Sequence, residues 1–277
     1  MPTEPLRGAQ KWRTGMARPG VALQMFSLRE QARADYVGTL RQVAAAEYGA
    51  VEAAFGYGGL SASELSRVLQ DLGVRIISSH VGSDRMRANL DEEIAFNLAI
   101  GNRDLVCAEL PREDRTNEAA FHRWAADLNR IGRRCRELGA RLSYHSHSFE
   151  FRRFGQVTGL EILLGEAETL DWEPDVYWIS FAGEDPVAWI SRYAERCHLI
   201  HLKDMKLEPL PDDPIEANAR DLQAHLSAAL GEGKLDFAPA IAAATAAEWL
   251  IVEQDFSERP MLESLQTSRE YLRARGF

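Results

Sequence analysis

Four of the seven histidines in this 277-residue chain stand at the ends of short apolar runs, where β-strands would end. They are His80, His145, His147 and His201. Carboxylates lie within or just after such runs, at Glu52, Glu150, Asp175 and Glu253. Imidazole and carboxylate groups without cysteine suit a divalent ion such as Mn²⁺, Mg²⁺, Co²⁺ or Zn²⁺. The pattern predicts one such ion if the fold brings these positions together.

The apolar runs number eight and alternate with longer segments that have helical spacing. The runs are Val21–Phe26, Ala50–Ala54, Val74–His80, Asp104–Leu110, Ala140–His147, Pro174–Ile179, His198–Lys203 and Leu250–Asp255. Several are apolar without alternation, as in parallel strands that are buried on both faces. Between them, Ser61–Glu64 has the form of a capping box that begins a helix.

This alternation predicts a (β/α)8 TIM barrel, an α/β fold, as a single domain over residues 21–277. A doubly wound sheet is the alternative, but the first run continues into SLREQ without a glycine-rich turn. Residues 1–20 are polar, and we expect a loosely ordered N-terminal extension there. The stretch Met205–Gly233 is long for a loop and is a candidate lid. Active sites of such barrels lie at the carboxyl ends of the strands.

The composition excludes several classes of partner. The formal net charge of −10 argues against a nucleic acid and against an anionic membrane surface. No apolar run approaches the roughly 20 residues of a membrane span, and the first residues lack the apolar core of a signal peptide. The three cysteines form no readable disulfide framework. We therefore expect a cytoplasmic protein that acts on a small molecule.

Five motifs in order along the chain resemble one known family. They are YHSHSFEF (144–151), DVYW (175–178), HLIHLKD (198–204), LGEGKLDF (230–237) and IVEQD (251–255). Together they resemble the sugar phosphate isomerase/epimerase family, the xylose isomerase-like TIM barrels, over roughly residues 21–275. The resemblance implies a metal-dependent sugar enzyme, with one ligand from each of strands 5 to 8.

Carried over residue by residue, the resemblance assigns three ligands, Asp175, His201 and Glu253. For strand 5 it favours Glu150, with His145 as the alternative. His147 would then face the substrate. The further candidates for substrate binding are His80, His145, Trp178, Lys203, Glu52 and Arg29.

The first functional hypothesis is an isomerase or epimerase of an unphosphorylated sugar or keto-sugar, acting through a metal-stabilised cis-enediolate. Glu150, Glu253 and His147 would be its catalytic residues. The substrate is expected to lack phosphate because the loops after strands 7 and 8 are rich in carboxylates. The alternative is a metal-dependent dehydratase or lyase acting on a keto-sugar or keto-inositol. A non-catalytic sugar-binding barrel and a DNA-cleaving enzyme are less favoured. The sequence leaves the oligomeric state open, and a homo-oligomer is one possibility.

Overall fold

The computed structural model describes residues 18–54, 56–206, 215 and 226–277. Residues 1–17 of the predicted extension lie outside this part of the chain, as does most of the candidate lid. Among the described helices, none has the length and apolar character needed to cross a membrane.

Eight parallel strands form the barrel. They are β1 Gly20–Gln24, β2 Ala50–Ala54, β3 Arg75–Val81, β4 Asp104–Cys107, β5 Arg141–His145, β6 Leu170–Glu173, β7 Leu199–Leu202 and β8 Trp249–Val252. Hydrogen-bonded neighbours follow the order β6-β5-β4-β3-β2-β1-β8-β7. Between β6 and β7, Asp175 bridges to His201, and the His201 N–H donates to the Pro174 carbonyl over 2.9 Å. The predicted TIM barrel is therefore confirmed, with closure at the residues expected to bind metal.

The helices surround the barrel. They are α1 Arg29–Ala34, α2 Tyr36–Ala45, α3 Ala62–Leu72, α4 Ser83–Ala88, α5 Leu90–Ala99, α6 Glu118–Glu137, α7 Gly159–Glu166, α8 Val176–Phe181, α9 Pro186–Arg192, α10 Phe237–Ala243 and α11 Met261–Arg273. The predicted capping box of Ser61 and Glu64 begins α3. Gly73 ends it with a φ of 64°, a conformation that glycine adopts readily.

The interior of the barrel changes from apolar to polar along the strands. Four buried pairs show this change: Ala22 and Gln24, Ala50 and Glu52, Leu199 and His201, and Ile251 and Glu253. Alternate residues of a strand share a face. The first member of each pair belongs to a small apolar cluster, and the second points the same way nearer the carboxyl end. The apolar cluster fills the floor and leaves polar groups at the mouth.

The prediction of the sixth strand over Pro174–Ile179 was wrong. The strand is Leu170–Glu173, and Val176–Phe181 forms helix α8 instead. Asp175 begins this helix, because its carboxylate accepts from the N–H groups of Tyr177 at 2.8 Å and Trp178 at 3.3 Å. The correction places Glu173 at the end of the strand, two residues before Asp175.

Candidate active site

His201 on β7 lies at the centre of the polar cluster in the barrel mouth. It is fully buried, and both ring nitrogens face carboxylates. Its Nδ1 is 3.0 Å from Glu253 Oε2, and its Nε2 is 2.7 Å from Glu52 Oε1. The side of the ring that carries Nδ1 therefore faces the mouth residue Glu253, and the other side faces β2.

Four buried side chains form what we call the ligand set: His145, Asp175, His201 and Glu253. One ligand atom of each lies within 4.8 Å of those of the others. The Oδ1 atom of Asp175 caps α8, but its buried Oδ2 has no hydrogen-bond partner. Burial raises the pKa of Asp175 to about 7, although the charge of Lys203 lowers it. An unpaired buried carboxylate oxygen beside two imidazoles fits a divalent cation.

A second group, the deep set, shares two histidines with the ligand set. Its members are His80, His145, Glu173 and His201. Glu173 Oε2 lies 2.9 Å from His80 Nε2, 3.1 Å from His145 Nδ1 and 3.3 Å from His201 Nε2. Three imidazoles thus surround one carboxylate oxygen below the mouth.

Opposite charges compensate one another in this buried cluster. Burial favours the neutral carboxyl of Glu52, but the charges of His80 and His201 outweigh it and hold its pKa below the usual range. Burial and the charge of Glu52 favour the neutral carboxyl of Glu173, but the charge of His201 and the hydrogen bonds to His145 and His201 together lower its pKa to about 2. Burial lowers the pKa of His80, but the two carboxylates raise it to about 10. Without a metal, the same carboxylates hold the pKa of His201 well above its ordinary value, against burial.

The remaining histidine of the ligand set behaves differently. Burial and the charge of His201 hold the pKa of His145 well below its ordinary value, so the ring is neutral. Burial would raise the pKa of Glu253, but Lys203 and His201 hold it well below the usual range. A metal ion binds neutral imidazole and ionised carboxylate, so His201 would have to lose its ring proton to hold one.

Lys203 forms a second polar centre beside the ligand set. Its buried ammonium pairs with Asp255, and it lies 4.9 Å from the ring centroids of both Tyr177 and Trp178. Burial lowers the pKa of Lys203, but Asp255 and Glu253 raise it above the ordinary value. The hydroxyl of Tyr177 and the Oδ1 atom of Asp255 are buried without a partner. This centre therefore offers a fixed cation and two unused hydrogen-bonding groups.

His147 lies between the two centres. Its ring is 4.9 Å from that of His145 and 5.2 Å from that of Trp178, and its buried Nδ1 has no partner. Burial, reinforced by the charges of Arg115 and Lys203, lowers the pKa of His147 to about 3. The imidazole is therefore neutral, because burial and these two positive charges disfavour its protonated form.

A family model described as the xylose isomerase-like TIM barrel matches residues 40–275. The chain belongs to this family. Among curated proteins it is 27% identical over 165 residues to an inosose dehydratase of Lacticaseibacillus casei, a match that covers 56% of this chain and 54% of that protein. The chain thus spans about half the length of the curated relatives it matches.

Two solved structures illustrate the fold of this xylose isomerase-like barrel. One is a sugar phosphate isomerase/epimerase from Parabacteroides distasonis, with a TM-score of 0.73, 23% identity, and coverage of 95% of this chain and 96% of that one. The other is an IolI protein with a bound zinc atom, with a TM-score of 0.73, 10% identity, and coverage of 92% and 97%. At these identities the likeness concerns the fold.

In this xylose isomerase-like barrel, the structure brings together three expected ligands, Asp175, His201 and Glu253, with the alternative strand-5 ligand His145. Glu150, the favoured strand-5 ligand, lies outside both sets. It accepts from the Tyr144 hydroxyl at 2.6 Å and from the His147 N–H at 2.8 Å. Tyr144 and His145 point to opposite faces of β5, so Glu150 is held on the side away from the ligand set.

The residues expected to bind substrate fall into two groups. Lys203, Trp178 and His147 meet beside the ligand set, whereas Glu52 and His80 contact its histidines from below. The Arg29 guanidinium donates to the Asp255 carbonyl at 3.1 and 3.2 Å, so it supports the loop after β8.

Glu173 is one site residue that the sequence analysis missed, as are Tyr177 and Asp255. Glu173 is fully buried and contacts three histidines of the deep set. The alternation of apolar and polar residues in Leu170–Glu173, followed by Pro174, was the available signal for a strand. Assigning that strand would have placed Glu173 at the mouth.

Proposed function

We propose that this chain is a divalent-metal-dependent enzyme that isomerises or epimerises an unphosphorylated keto-sugar or keto-polyol by moving a proton beside the ketone. The observation that carries the proposal is the ligand set, in which two imidazoles and two carboxylates converge at the carboxyl end of the barrel. When bound, a divalent ion would supply a Lewis acid for two neighbouring substrate oxygens. The choice among Mn²⁺, Mg²⁺, Co²⁺ and Zn²⁺ is left to experiment.

The side chains beside the ligand set provide groups for proton transfer. His147 has a buried Nδ1 without a hydrogen-bond partner beside the ligand set, so its position makes it one candidate for moving the proton beside the ketone, although burial makes its ring a weak base. Glu253 is the second candidate, and its Oε2 lies 3.0 Å from His201 Nδ1. Glu150 holds the backbone N–H of His147, and we therefore assign it to positioning that residue.

Lys203 complements this chemistry. Its buried ammonium stabilises the negative charge that develops on a substrate oxygen as the proton leaves. Trp178, which contacts both Lys203 and His147, supplies an apolar wall for the carbon face of a sugar ring. The unpaired groups of Tyr177 and Asp255 suit substrate hydroxyls.

The surrounding charges support an unphosphorylated substrate. In the described part of the loops after β7 and β8, Lys203 pairs with Asp255. Lys206 pairs with Glu258 at 2.8 Å, and Arg259 pairs with Glu232 at 2.8 Å. A phosphate would have to compete with a carboxylate for each of these cations. We expect a free sugar to bind more tightly than its phosphate.

The second candidate is a dehydratase acting on a keto-sugar or keto-inositol, and the partial likeness to inosose dehydratase favours it. Removal of the same proton would be followed by loss of the neighbouring hydroxyl as water. His80, His147 and Lys203 are the candidates to donate the proton that this hydroxyl needs to depart.

The test is incubation of the metal-loaded protein with ketoses and inososes in D₂O, followed by mass spectrometry and NMR. Deuterium incorporation without loss of water supports isomerisation or epimerisation, and loss of one water supports the dehydratase. Glu253→Gln should abolish either reaction. Glu248→Gln is the matched control, because Glu248 lies just before β8 at the opposite end of the barrel. Full turnover in metal-loaded Glu253→Gln would contradict the proposal.

A further inference from the structure

Each histidine of the ligand set has one ring nitrogen directed at a buried carboxylate below it. The Nε2 atom of His201 is 2.7 Å from Glu52 Oε1. The Nδ1 atom of His145 is 3.1 Å from Glu173 Oε2. Both carboxylates are fully buried, so neither is open to solvent. The two histidines are thus held from the side away from the mouth.

We call Glu52, His80 and Glu173 the support layer. We propose that these three are positioning residues, which orient His145 and His201 and hold them in the tautomers that a metal requires. They bind neither the metal nor the substrate. The inference rests on the metal site of the proposed function, and it gives Glu52 and His80 a role other than substrate binding.

Glu52 is itself fixed on several sides. Its Oε1 accepts from Gln24 Nε2 at 2.6 Å, and its Oε2 accepts from the Ser78 hydroxyl at 2.5 Å. Both partners are fully buried residues of neighbouring strands. A carboxylate that is held on β2 by β1 and β3 cannot turn toward a substrate, but it can hold His201 in place.

His80 connects the two carboxylates. Its Nε2 lies 3.0 Å from Glu52 Oε1 and 2.9 Å from Glu173 Oε2. Its ring stacks on that of His201, with centroids 5.5 Å apart and an angle of 13° between the planes. One imidazole thus links the residue that holds His201 to the residue that holds His145.

The chemical consequence follows from the two nitrogens of imidazole. A neutral ring has one N–H and one lone pair, and a carboxylate acceptor fixes which nitrogen carries the hydrogen. If the Nε2–H of His201 donates to Glu52, the lone pair lies on Nδ1, which faces Glu253. If the Nδ1–H of His145 donates to Glu173, its lone pair lies on Nε2.

The deep set is the competing interpretation, because its ligand atoms are also close enough to hold an ion. It uses the ring nitrogens of His145 and His201 that the support layer would occupy. If an ion bound there, Glu173 would be a ligand and would no longer position His145. The number of bound ions and the nitrogens they use distinguish the two interpretations.

The first experiment is calorimetric titration of the metal-free protein with Zn²⁺. We expect one equivalent in the wild type, and one equivalent bound about 10- to 100-fold more weakly in Glu52→Gln and Glu173→Gln. Glu248→Gln should match the wild type. Circular dichroism of each metal-free variant checks that it is folded. Unchanged affinity in both variants, or a second wild-type equivalent that Glu173→Gln removes, would overturn the inference.

The second experiment needs no variant. In ¹⁵N NMR spectra of the Zn²⁺-loaded wild type, His201 should be bound to metal through Nδ1 and protonated at Nε2. His145 should show the reverse arrangement. Metal bound through Nε2 of His201 or Nδ1 of His145 would overturn the inference and leave the proposed function standing. A wild type that binds no divalent ion would overturn the proposed function itself.

Discussion

The backbones of Asp175 and His201 pair at the point where β6 and β7 close the barrel, and their side chains belong to one ligand set. Asp175 also begins helix α8, because its Oδ1 accepts from the N–H of Tyr177. Barrel closure, the start of a helix and the candidate metal site therefore depend on adjacent atoms of two residues. We therefore expect that mutation can separate two effects of Asp175, the contribution of its charge to metal binding and the contribution of its hydrogen bonds to the start of the helix.

Asp175→Asn should weaken metal binding strongly and leave the stability of the metal-free protein nearly unchanged. Asparagine caps helices about as well as aspartate, but it lacks the charge that a cation requires. Asp175→Ala removes the cap as well and should cost about 1 kcal/mol of unfolding free energy. Calorimetry with Zn²⁺ and thermal unfolding of the metal-free proteins measure the two effects. Equal stability losses in both variants would contradict the separation.

Lys203→Met should abolish turnover and destabilise the fold, because it leaves Asp255 buried without its cation. Breaking a buried pair in this way costs about 3–5 kcal/mol. The double variant Lys203→Met/Asp255→Asn should recover most of this loss and remain inactive. Chemical denaturation and the D₂O assay measure stability and turnover. An active double variant would show that the ammonium is dispensable.

Glu150→Gln should retain metal binding, whereas His145→Ala should lose most of it, because Glu150 lies outside the ligand set. Zinc titration of the two folded variants decides between them. Loss of metal in Glu150→Gln alone would restore the residue that the sequence analysis favoured for strand 5.

The pH dependence of stability gives a separate test of Glu150. Burial raises its pKa from 4.5 to about 7. The folded state then binds more protons than the unfolded state between these values, so stability falls as pH rises through this window. The loss amounts to about 3 kcal/mol for the full shift. Chemical denaturation at several pH values should show that the unfolding free energy of the wild type declines through this window relative to that of Glu150→Gln. A difference in unfolding free energy between the two proteins that does not change with pH would contradict the raised pKa.

Arg141→Ala should destabilise the protein without affecting metal affinity or turnover. Arg141 begins β5 and donates to Asp104 at 2.5 and 3.0 Å and to Glu248 at 2.6 Å, at the floor of the barrel. The variant leaves buried Asp104 with only the more distant Arg103, whose Nε lies 3.8 Å from Asp104 Oδ2, and should cost about 1–3 kcal/mol. Arg103→Ala is the control, because Arg103 also contacts Glu248 but is largely exposed. Equal losses in both variants would argue against burial as the cause.

The sequence by itself determined the fold class, since eight apolar runs separated by helical segments leave the barrel as the best arrangement. It also singled out Asp175, His201 and Glu253, because the motifs that contain them resemble those of a known metal-dependent family. Periodicity along a chain is a local property, and the capping box of Ser61 begins a helix where the pattern places it.

Only the tertiary structure decided which rim residues meet. The sixth strand was predicted over Pro174–Ile179, but in the structure it ends at Glu173. The hydrogen bonds that Asp175 accepts start a helix at this point, and an apolar run in the sequence does not distinguish such a helix from a strand. Tyr144 and His145 are neighbours on β5, so their side chains face opposite sides of the strand. Glu150 accepts a hydrogen bond from Tyr144 on one side, whereas His145 belongs to the ligand set on the other. Contacts such as Glu52 with His201, 149 positions apart, depend on barrel closure, which brings β2 and β7 to one mouth.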